Sequence, residues 1–551
     1  MNRFAALIDA LSFEPGRNAK LSLLTNYFRS TLDPERGYAL AALTGALVFA
    51  NAKPAMIRGL IQQRVDPVLF ALSYDYVGDL SETVALLWGD AQDIHTRPQL
   101  NLTEVVTALS AGGKLNLAKK LGDWLDQLDE TGRWALLKLI TGGNRIGVSA
   151  RLAKTAVAML GGLKTDEVEH VWHGLAPPYL DLFAWVDGNG PKPQSLDPAP
   201  FRPVMLAHAL EAGDISNLNP ADFAAEWKWD GIRVQLVSGI DGEGHRITRL
   251  YSRTGEDISA AFPDLTENTG MEAAVDGELL VKRDGQIQSF NMLQQRLNRK
   301  TINAQLLEHY PAHIRAYDLL QDGPDDIRHL PFTQRRERLV RLLVRHGDAR
   351  LDISPLVPFG SFEALMELRK SPNDADAPAI EGCMLKRLDS PYLPGRPRGL
   401  WFKWKRDPMV ADCVLMYAQR GHGKRSSFYS DFTFGAWRTG ETGADELVPV
   451  GKAYFGFTDE ELVELDRFVR RSEGQRFGPV REVKLARGPD GRPAGLVLEI
   501  AFEGLQRSTR HKSGIAMRFP RISRIRWDKP ADEADRLETL EALLAAPPSG
   551  L

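Results

Sequence analysis

Two cysteines, Cys383 and Cys413, are all that 551 residues contain. So few exclude a disulfide framework and point to a reducing compartment. Long apolar runs are missing too. The longest, "ALAALTGALVFA" at 39 to 50, is well short of the ~18 residues that suggest a membrane span, so no membrane partner is expected. Acidic Asp9 interrupts the start "MNRFAALIDALSFEPGRN" before an adequate apolar stretch, and no secretory signal is expected. Net charge is also small, −3 with a pI near 6.5. Taken in bulk, that argues mildly against a nucleic-acid partner.

What is present is an ordinary globular composition, 43% hydrophobic and 26% charged, in a chain too long for one core. Roughly three or four domains are expected. The basic residues are spread unevenly. From Glu503 to Arg526 stand six Arg and one Lys (Arg507, Arg510, Lys512, Arg518, Arg521, Arg524, Arg526) against the single acid Glu503. "GRPRGLWFKWKR" (395 to 406) has five basic residues and no acid, and "QRGHGKR" (419 to 425) adds three. Any one of these could be a solvated basic face, but together they have the character of a polyanion site.

Residues 1 to about 195 carry apolar residues at helical spacing, as in "TEVVTALSAGGKLNLAKKLGDWLDQLD", with Thr103 and Thr131 as expected N-caps. Gly pairs at 112–113, 142–143 and 161–162 break that pattern. "DGNGPKPQSLDPAPFRP" (187 to 203), with five prolines and two glycines, reads as a linker. Beyond it the period becomes two in short strand candidates interrupted by helices such as "PFTQRRERLVRLLVRHG", giving a mixed α and β region. From about 409 strands dominate, with one helix at "TDEELVELDRFVRR", the content of a small β-barrel. The tail "ADEADRLETLEALLAAPPSGL" reads as a short helix followed by disorder.

Within "AEWKWDGIRVQL" (225 to 236), alternation places Glu226, Lys228 and Asp230 on one strand face and Trp227 and Trp229 on the other. Strands seldom spend a central position on Lys. Packed among fixed cations and partly desolvated, a Lys becomes a nucleophile; alone on an edge strand it is a surface residue. Gly231 permits a turn or close approach, and Arg233 follows. "VDGELLV" sets Asp276 and Glu278 on one face, suited to a sugar hydroxyl or a divalent cation. "AIEGCMLKR" offers Glu381 beside Gly382, and "WFKWK" presents Lys403 and Lys405 on one face, as a phosphate clamp requires.

Together and in this order these segments resemble the covalent nucleotidyltransferases, most closely the ATP-dependent DNA ligases, of the kind that serve as accessory repair enzymes in bacteria. "KWDGIR" matches the family's attachment motif Lys-x-Asp-Gly-x-Arg. "SRTGED" with Arg253, "DGEL" with Glu278, "AYDLL" with Tyr317, "EGCMLKR" with Glu381 and "WFKWK" with Lys403 and Lys405 match the later motifs, and "MRFPRISRIRWDK" the terminal one. "NRIGVSARLAKTAV" is similar to the helical region of such ligases, so the resemblance covers about residues 1 to 530.

The resemblance implies a multidomain fold. An all-α N-terminal DNA-binding domain would span 1–195 and an α+β nucleotidyltransferase (ATP-grasp-like) domain, the adenylation domain, 196–408. A β-barrel OB-fold domain would span 409–530, with a tail at 531–551. Lys228 would attack the α-phosphorus of ATP, Glu226 would help fix the adenine, and Tyr317 would stack on it. Arg233 and Arg253 would neutralise phosphates and Glu278 would hold the ribose. Glu381, with Glu278, would bind Mg²⁺, for which Mn²⁺ could substitute. Lys403 and Lys405 would contact the α-phosphate, and Arg518 and Arg521 would orient the departing pyrophosphate. AMP would pass to a DNA 5′-phosphate, to be displaced by the 3′-hydroxyl. The implied partner is nicked duplex DNA encircled by a monomer, in the cytoplasm (at the nucleoid if bacterial), in repair, recombination or replication, with a possible repair helicase and nuclease alongside.

Two positions depart from the family pattern. Tyr317 stands where relatives often have Phe. Pro397 stands six residues before Lys403, where many relatives have Arg, so Arg396 or Arg398 is expected to substitute, Arg396 being taken as the nucleotide contact. An RNA ligase or GTP-using capping enzyme is disfavoured by the large helical region and the "RFPR" ending. A non-catalytic scaffold is disfavoured by the intact Lys228 motif. "GHGKRS" is not a phosphate loop, since Arg425 stands where Ser or Thr is required. His309 and His313 in "HYPAH" are read as loop residues separated by Pro311, not a metal pair.

Overall fold

The computed structural model describes residues 1–77, 79–89, 100–111, 113–142, 146–172, 174–194, 197–267, 270–297, 299, 302–372, 374–421, 428–440, 442–472, 474–477, 480–487, 493–508 and 512–545. These form two compact units. One draws on 1–171, 175–194 and 409–541, the other on 172–174, 195–408 and 542–551. Among the described residues no helix is long and apolar enough to cross a membrane.

In the first unit, residues up to Val186 are helical, from Asn2–Phe13 to Leu180–Val186. The apolar spacing explains which face packs: Phe4, Leu7, Ile8 and Leu11 of Asn2–Phe13 are all buried. The expected caps need correction. Helix Leu102–Ala111 begins one residue before Thr103, and Asn101 accepts from the Glu104 amide at 2.6 Å. Helix Glu130–Thr141 is capped by Asp129, which accepts from Gly132 N at 2.7 Å, leaving Thr131 inside. Asn and Asp cap as well as any residue, and each stands two positions ahead of the threonine. Gly142, with φ 71°, ends that second helix.

Among its described residues the second unit contains twelve short to medium strands: β1 (His208–Ala209), β2 (Phe223–Trp229), β3 (Ile232–Ile240), β4 (Arg246–Ser252), β5 (Ala273–Arg283), β6 (Gln286–Ile287), β7 (Ala312–Asp322), β8 (Asp325–Asp326), β9 (Leu351–Ile353), β10 (Leu356–Val357), β11 (Ile380–Arg387) and β12 (Trp401–Lys405). They make two sheets. One has the order β1-β12-β11-β2-β10, the other β4-β3-β5-β7-β8, with β6 beside β5 and β9 beside β7. The segment expected as one strand through Lys228 therefore divides at Asp230 and Gly231, and β2 and β3 belong to different sheets. Gly231 lies so close to β5 that a Cβ would stand 2.5 Å from the Leu279 carbonyl oxygen. Trp227 and Trp229 enter the core with Phe223, Cys383, Leu385 and Phe402, as alternation requires.

In the C-terminal part of the first unit, β13 (Met409–Arg420), β14 (Tyr429–Thr439) and β15 (Asp445–Ala453) form an antiparallel meander. Strand Val497–Phe502 pairs with β13 and with Arg521–Arg526. Helix Asp459–Arg471 starts with a capping box between Thr458 and Glu461. The tail contains helix Leu537–Ala545, and its approach packs on the strands: Trp437 donates to the Ala531 carbonyl at 2.6 Å, and Ala531 and Ala534 join the core of Val414, Trp437 and Val497. Residues 546–551, where disorder was expected, lie outside the described residues.

Candidate active site

A cavity of about 420 Å³ lies in the second unit, with walls from both sheets. The first sheet contributes Glu226 and Lys228 of β2, Glu381, Met384 and Lys386 of β11, and Trp401, Lys403 and Lys405 of β12. The second sheet and its loops contribute Arg233, Arg253, Glu278 and Tyr317. Arg396 also lines it, whereas Arg398 does not. Every nucleotide-contact residue expected between 226 and 405 is thus gathered here.

Local geometry explains how Lys228 and Glu381 meet. Antiparallel pairing sets Lys228 opposite Gly382, and Gly382 in turn opposite Lys405. A register shift between Ile380 and Gly382 leaves Glu381 as the extra residue of a bulge. Gly382 has φ 148°, and a Cβ there would stand 2.3 Å from the Trp404 carbonyl oxygen, so only glycine lets the strands close. Glu381 then receives the Lys228 ammonium on one oxygen and the Lys405 ammonium on the other, the latter at 3.3 Å. Lys228, expected among fixed cations, thus also has a carboxylate partner, with its side chain 22% exposed.

The charges separate by position. Burial, then the positive charges of Arg396, Lys228, Lys405 and Arg253, lowers the Lys403 ammonium from its usual range. That clustering of like charge is what a polyphosphate would relieve. Beside it, burial pushes the Glu278 carboxyl up to about 7, with Glu381 and Asp230 adding to the rise and Lys228 and Arg233 opposing it. No group of three or more His, Cys, Asp or Glu side chains is gathered as a metal cluster among the described residues.

Asp276 keeps the face that alternation gave it with Glu278, the two lying opposite Gln235 and Arg233 of β3, but it does not open on the cavity. It is fully buried rather than facing the cavity with Glu278. Its oxygens accept from Gln235 Nε2 at 3.0 Å, Arg233 Nη2 at 2.6 Å and the Tyr392 hydroxyl at 2.5 Å. The register shift between Asp276 and Gly277 in the pairing with β7 leaves Tyr317 as the extra residue on β7. Arg233 is correspondingly fixed, donating also to the Met205 carbonyl at 2.6 Å.

Two residues escaped the sequence reading. Lys386 and Arg336 grip the two oxygens of Glu226, at 2.7 and 2.5 Å. Lys386 shares its strand face with Met384, so alternation could have pointed to it; Arg336 arrives from helix Phe332–His346 with no local signal. Burial raises the Glu226 carboxyl above its usual range, and Lys386 and then Arg336 oppose that rise.

Arg518 and Arg521 belong to the other unit and do not line the cavity; they flank Phe519, which has φ 50° and is 62% exposed. Arg510 and the "GHGKRS" residues Lys424 and Arg425 lie outside the described residues. His309 and His313 are not loop residues: one ends helix Ala304–His309, and the other, in β7, meets Asp352 at 2.9 Å.

Comparison with known proteins decides the family. Residues 204–405 match the family described as ATP dependent DNA ligase domain, and 425–529 the ATP dependent DNA ligase C terminal region. The protein named DNA ligase 1 from Korarchaeum cryptofilum is 30% identical over 564 residues, covering 98% of each chain. The chain belongs to the ATP-dependent DNA ligases. A probable DNA ligase from Koribacter versatilis is likewise 30% identical, covering 98% of this chain and 96% of that one. The solved structure Pmar-Lig_Pre shares the fold, with TM-score 0.57 at 14% identity over 96% of this chain and 99% of that one. The ligase thus seals nicks in duplex DNA with ATP, through a lysyl-AMP intermediate, AMP transfer to the 5′-phosphate and attack by the 3′-hydroxyl. The RNA-joining, GTP-capping and non-catalytic alternatives are set aside.

Proposed function

We propose that Lys228 is the residue that carries AMP, and that ATP lies in the cavity with its base toward Glu226 and Tyr317 and its phosphates toward Lys403, Lys405, Arg253 and Arg396. The observation that carries this reading is the convergence of these residues from two sheets upon Lys228. The Lys228 amine forms a bond to the α-phosphorus as the bond to pyrophosphate breaks. Its ion pair with Glu381 holds the side chain in place and must open, with loss of a proton from Nζ, before attack. Arg253, Arg396, Lys403 and Lys405 spread the negative charge that develops on the phosphates. Arg233, held by Asp276, acts as a fixed positive wall. Arg396 takes the place of the arginine that Pro397 displaces, since it and not Arg398 lines the cavity.

Glu278 is suited to the ribose. With Glu381 it also fits an oxygen-seeking cation: two carboxylates without a third are the donor set of Mg²⁺ (or Mn²⁺) that keeps water and phosphate as its other ligands. Such an ion supplies further charge neutralisation at the phosphates. Residues 1–195 would bind DNA, 196–408 would carry adenylation, and 409–530 would form the OB-fold domain that brings Arg518 and Arg521 to the pyrophosphate, the chain acting as a monomer around the nick.

The test is covalent labelling with ATP radiolabelled at the α-phosphate. Wild type should carry the label in a bond stable to denaturation, and Lys228→Ala should carry none while binding nicked DNA nearly as well. Label retained in that variant would move the nucleophile to another lysine.

A further inference from the structure

We propose that Arg336 and Lys386 select the base of the nucleotide, by holding the Glu226 carboxylate as a fixed hydrogen-bond acceptor at the base edge. This rests on the reading that the cavity takes ATP with its base toward Glu226, and it assigns a task to two residues that reading leaves unused.

Glu226 is 1% exposed, and an ionised carboxylate that deep persists only when it is paired. Here the pairing comes from two directions, with one cation on each oxygen. Arg336, reaching in from helix Phe332–His346, donates to Oε1 at 2.5 Å and to the Ser354 carbonyl at 2.6 Å. Lys386, on β11, meets Oε2 at 2.7 Å and donates to the Tyr317 carbonyl at 3.1 Å. Its ammonium also stands 4.5 Å from the centroid of the Tyr317 ring and 4.7 Å from that of Trp401. One lysine therefore ties the acceptor to the ring on which a base would stack. The remaining acid near this group, Asp318 on β7, has both oxygens occupied by Arg335.

An ionised carboxylate offers only acceptors. The lone pairs that Arg336 and Lys386 leave open accept from an exocyclic amine, as on adenine. They oppose a carbonyl oxygen, as on guanine or hypoxanthine. Were Arg336 lost, Oε1 would lose the donor that holds it, leaving the carboxyl free to turn from the base edge or to take a proton and donate as well as accept, and the distinction would fade. Base selection thus depends on a charge state that Glu226 cannot maintain alone.

The experiment measures the rate of protein-nucleotide adduct formation as a function of nucleotide concentration, with ATP, purine riboside triphosphate (no exocyclic group) and inosine triphosphate. Wild type should rank them in that order by maximal rate over half-saturating concentration, with ATP ahead of the purine by about tenfold or more. Arg336→Gln should bring ATP and the purine within about threefold of each other, through a higher half-saturating ATP concentration at a retained maximal rate. Arg336→Lys should keep most of the preference. A fall in maximal rate with the ATP preference intact would overturn the proposal, leaving Arg336 as a packing residue. The wild-type ranking needs no variant, and equal use of ATP and the purine would overturn it as well. Absence of an adduct with every nucleotide would instead overturn the placement of ATP in the cavity, and this proposal with it.

Discussion

Glu278 offers a test of the cavity's electrostatics that needs neither nucleotide nor DNA. Burial pushes its carboxyl from the ordinary 4.5 up to about 7, with Glu381 and Asp230 adding and Lys228 and Arg233 subtracting. The unfolded chain gives up this proton near 4.5, the folded chain only near 7. The bound proton therefore favours the folded state fully below 4.5. That contribution declines as pH rises from 4.5 to 7 and is absent above. A displacement of this size amounts to at most about 3 kcal/mol. Glu278→Gln keeps the shape and cannot titrate, so wild type should lose stability against it across that window. For a unit of this size, about 3 kcal/mol corresponds to roughly 6–12 °C in unfolding midpoint. Scanning calorimetry of both proteins at pH 5, 6, 7 and 8, following the transition that the substitution moves, should show the gap opening in favour of Gln as pH rises. A gap that stays constant across the series would refute the burial argument. In a Lys228→Ala background the larger opposing charge is gone, and the same decline should shift to higher pH.

Arg335 and Asp318 form a doublet with neither side chain exposed; Arg335→Leu should cost about 3–5 kcal/mol in chemical denaturation, most of it recovered when Asp318→Leu is added. Gly382→Ala meets both a φ of 148° and the Trp404 carbonyl oxygen, so it should cost at least about 2 kcal/mol and reduce adduct formation by displacing Glu381, read by calorimetry and labelling together. Tyr317→Ala should raise the half-saturating ATP concentration roughly 5- to 150-fold, as loss of a stacking partner predicts, while Tyr317→Phe stays near wild type.

Much of the site was legible because the deciding signals are local. Period two in β2 sends Trp227 and Trp229 into the core and leaves Glu226 and Lys228 to the cavity, and nothing distant is needed to see it. Errors arose where a distant segment decides. The strand through Lys228 divides at Gly231 because β5 presses against it, a contact 48 residues away at Leu279. Asp276 does share a face with Glu278, as alternation indicates, but Arg233, Gln235 and Tyr392 close over it, so it is buried while Glu278 lines the cavity. The partners of Glu226 are the extreme case, since Arg336 is 110 residues away on a helix. The helix caps failed for a smaller reason: Asn101 and Asp129 compete with the threonines two positions later, and pattern alone does not rank neighbouring candidates.

The cavity's acids differ in what restrains them, and that difference orients a ligand. Glu226 is held by two cations and Asp276 by one, so the end near Tyr317 carries a single excess positive charge when these groups are ionised. At the opposite end Lys228, Arg253, Arg396, Lys403 and Lys405 line the wall with only Glu278 and Glu381 to offset them. Three positive charges are left over when both acids ionise, and more when Glu278 keeps its proton. An uncharged base and a triphosphate of about four negative charges fit this gradient one way round and not the other, because a phosphate near Glu226 would meet a carboxylate whose counter-charges are already used. With ATP placed as proposed, its orientation would be set before any hydrogen bond to the base forms. On the placement proposed above, base-edge contacts at Glu226 would then discriminate among nucleotides that arrive with their α-phosphorus facing Lys228.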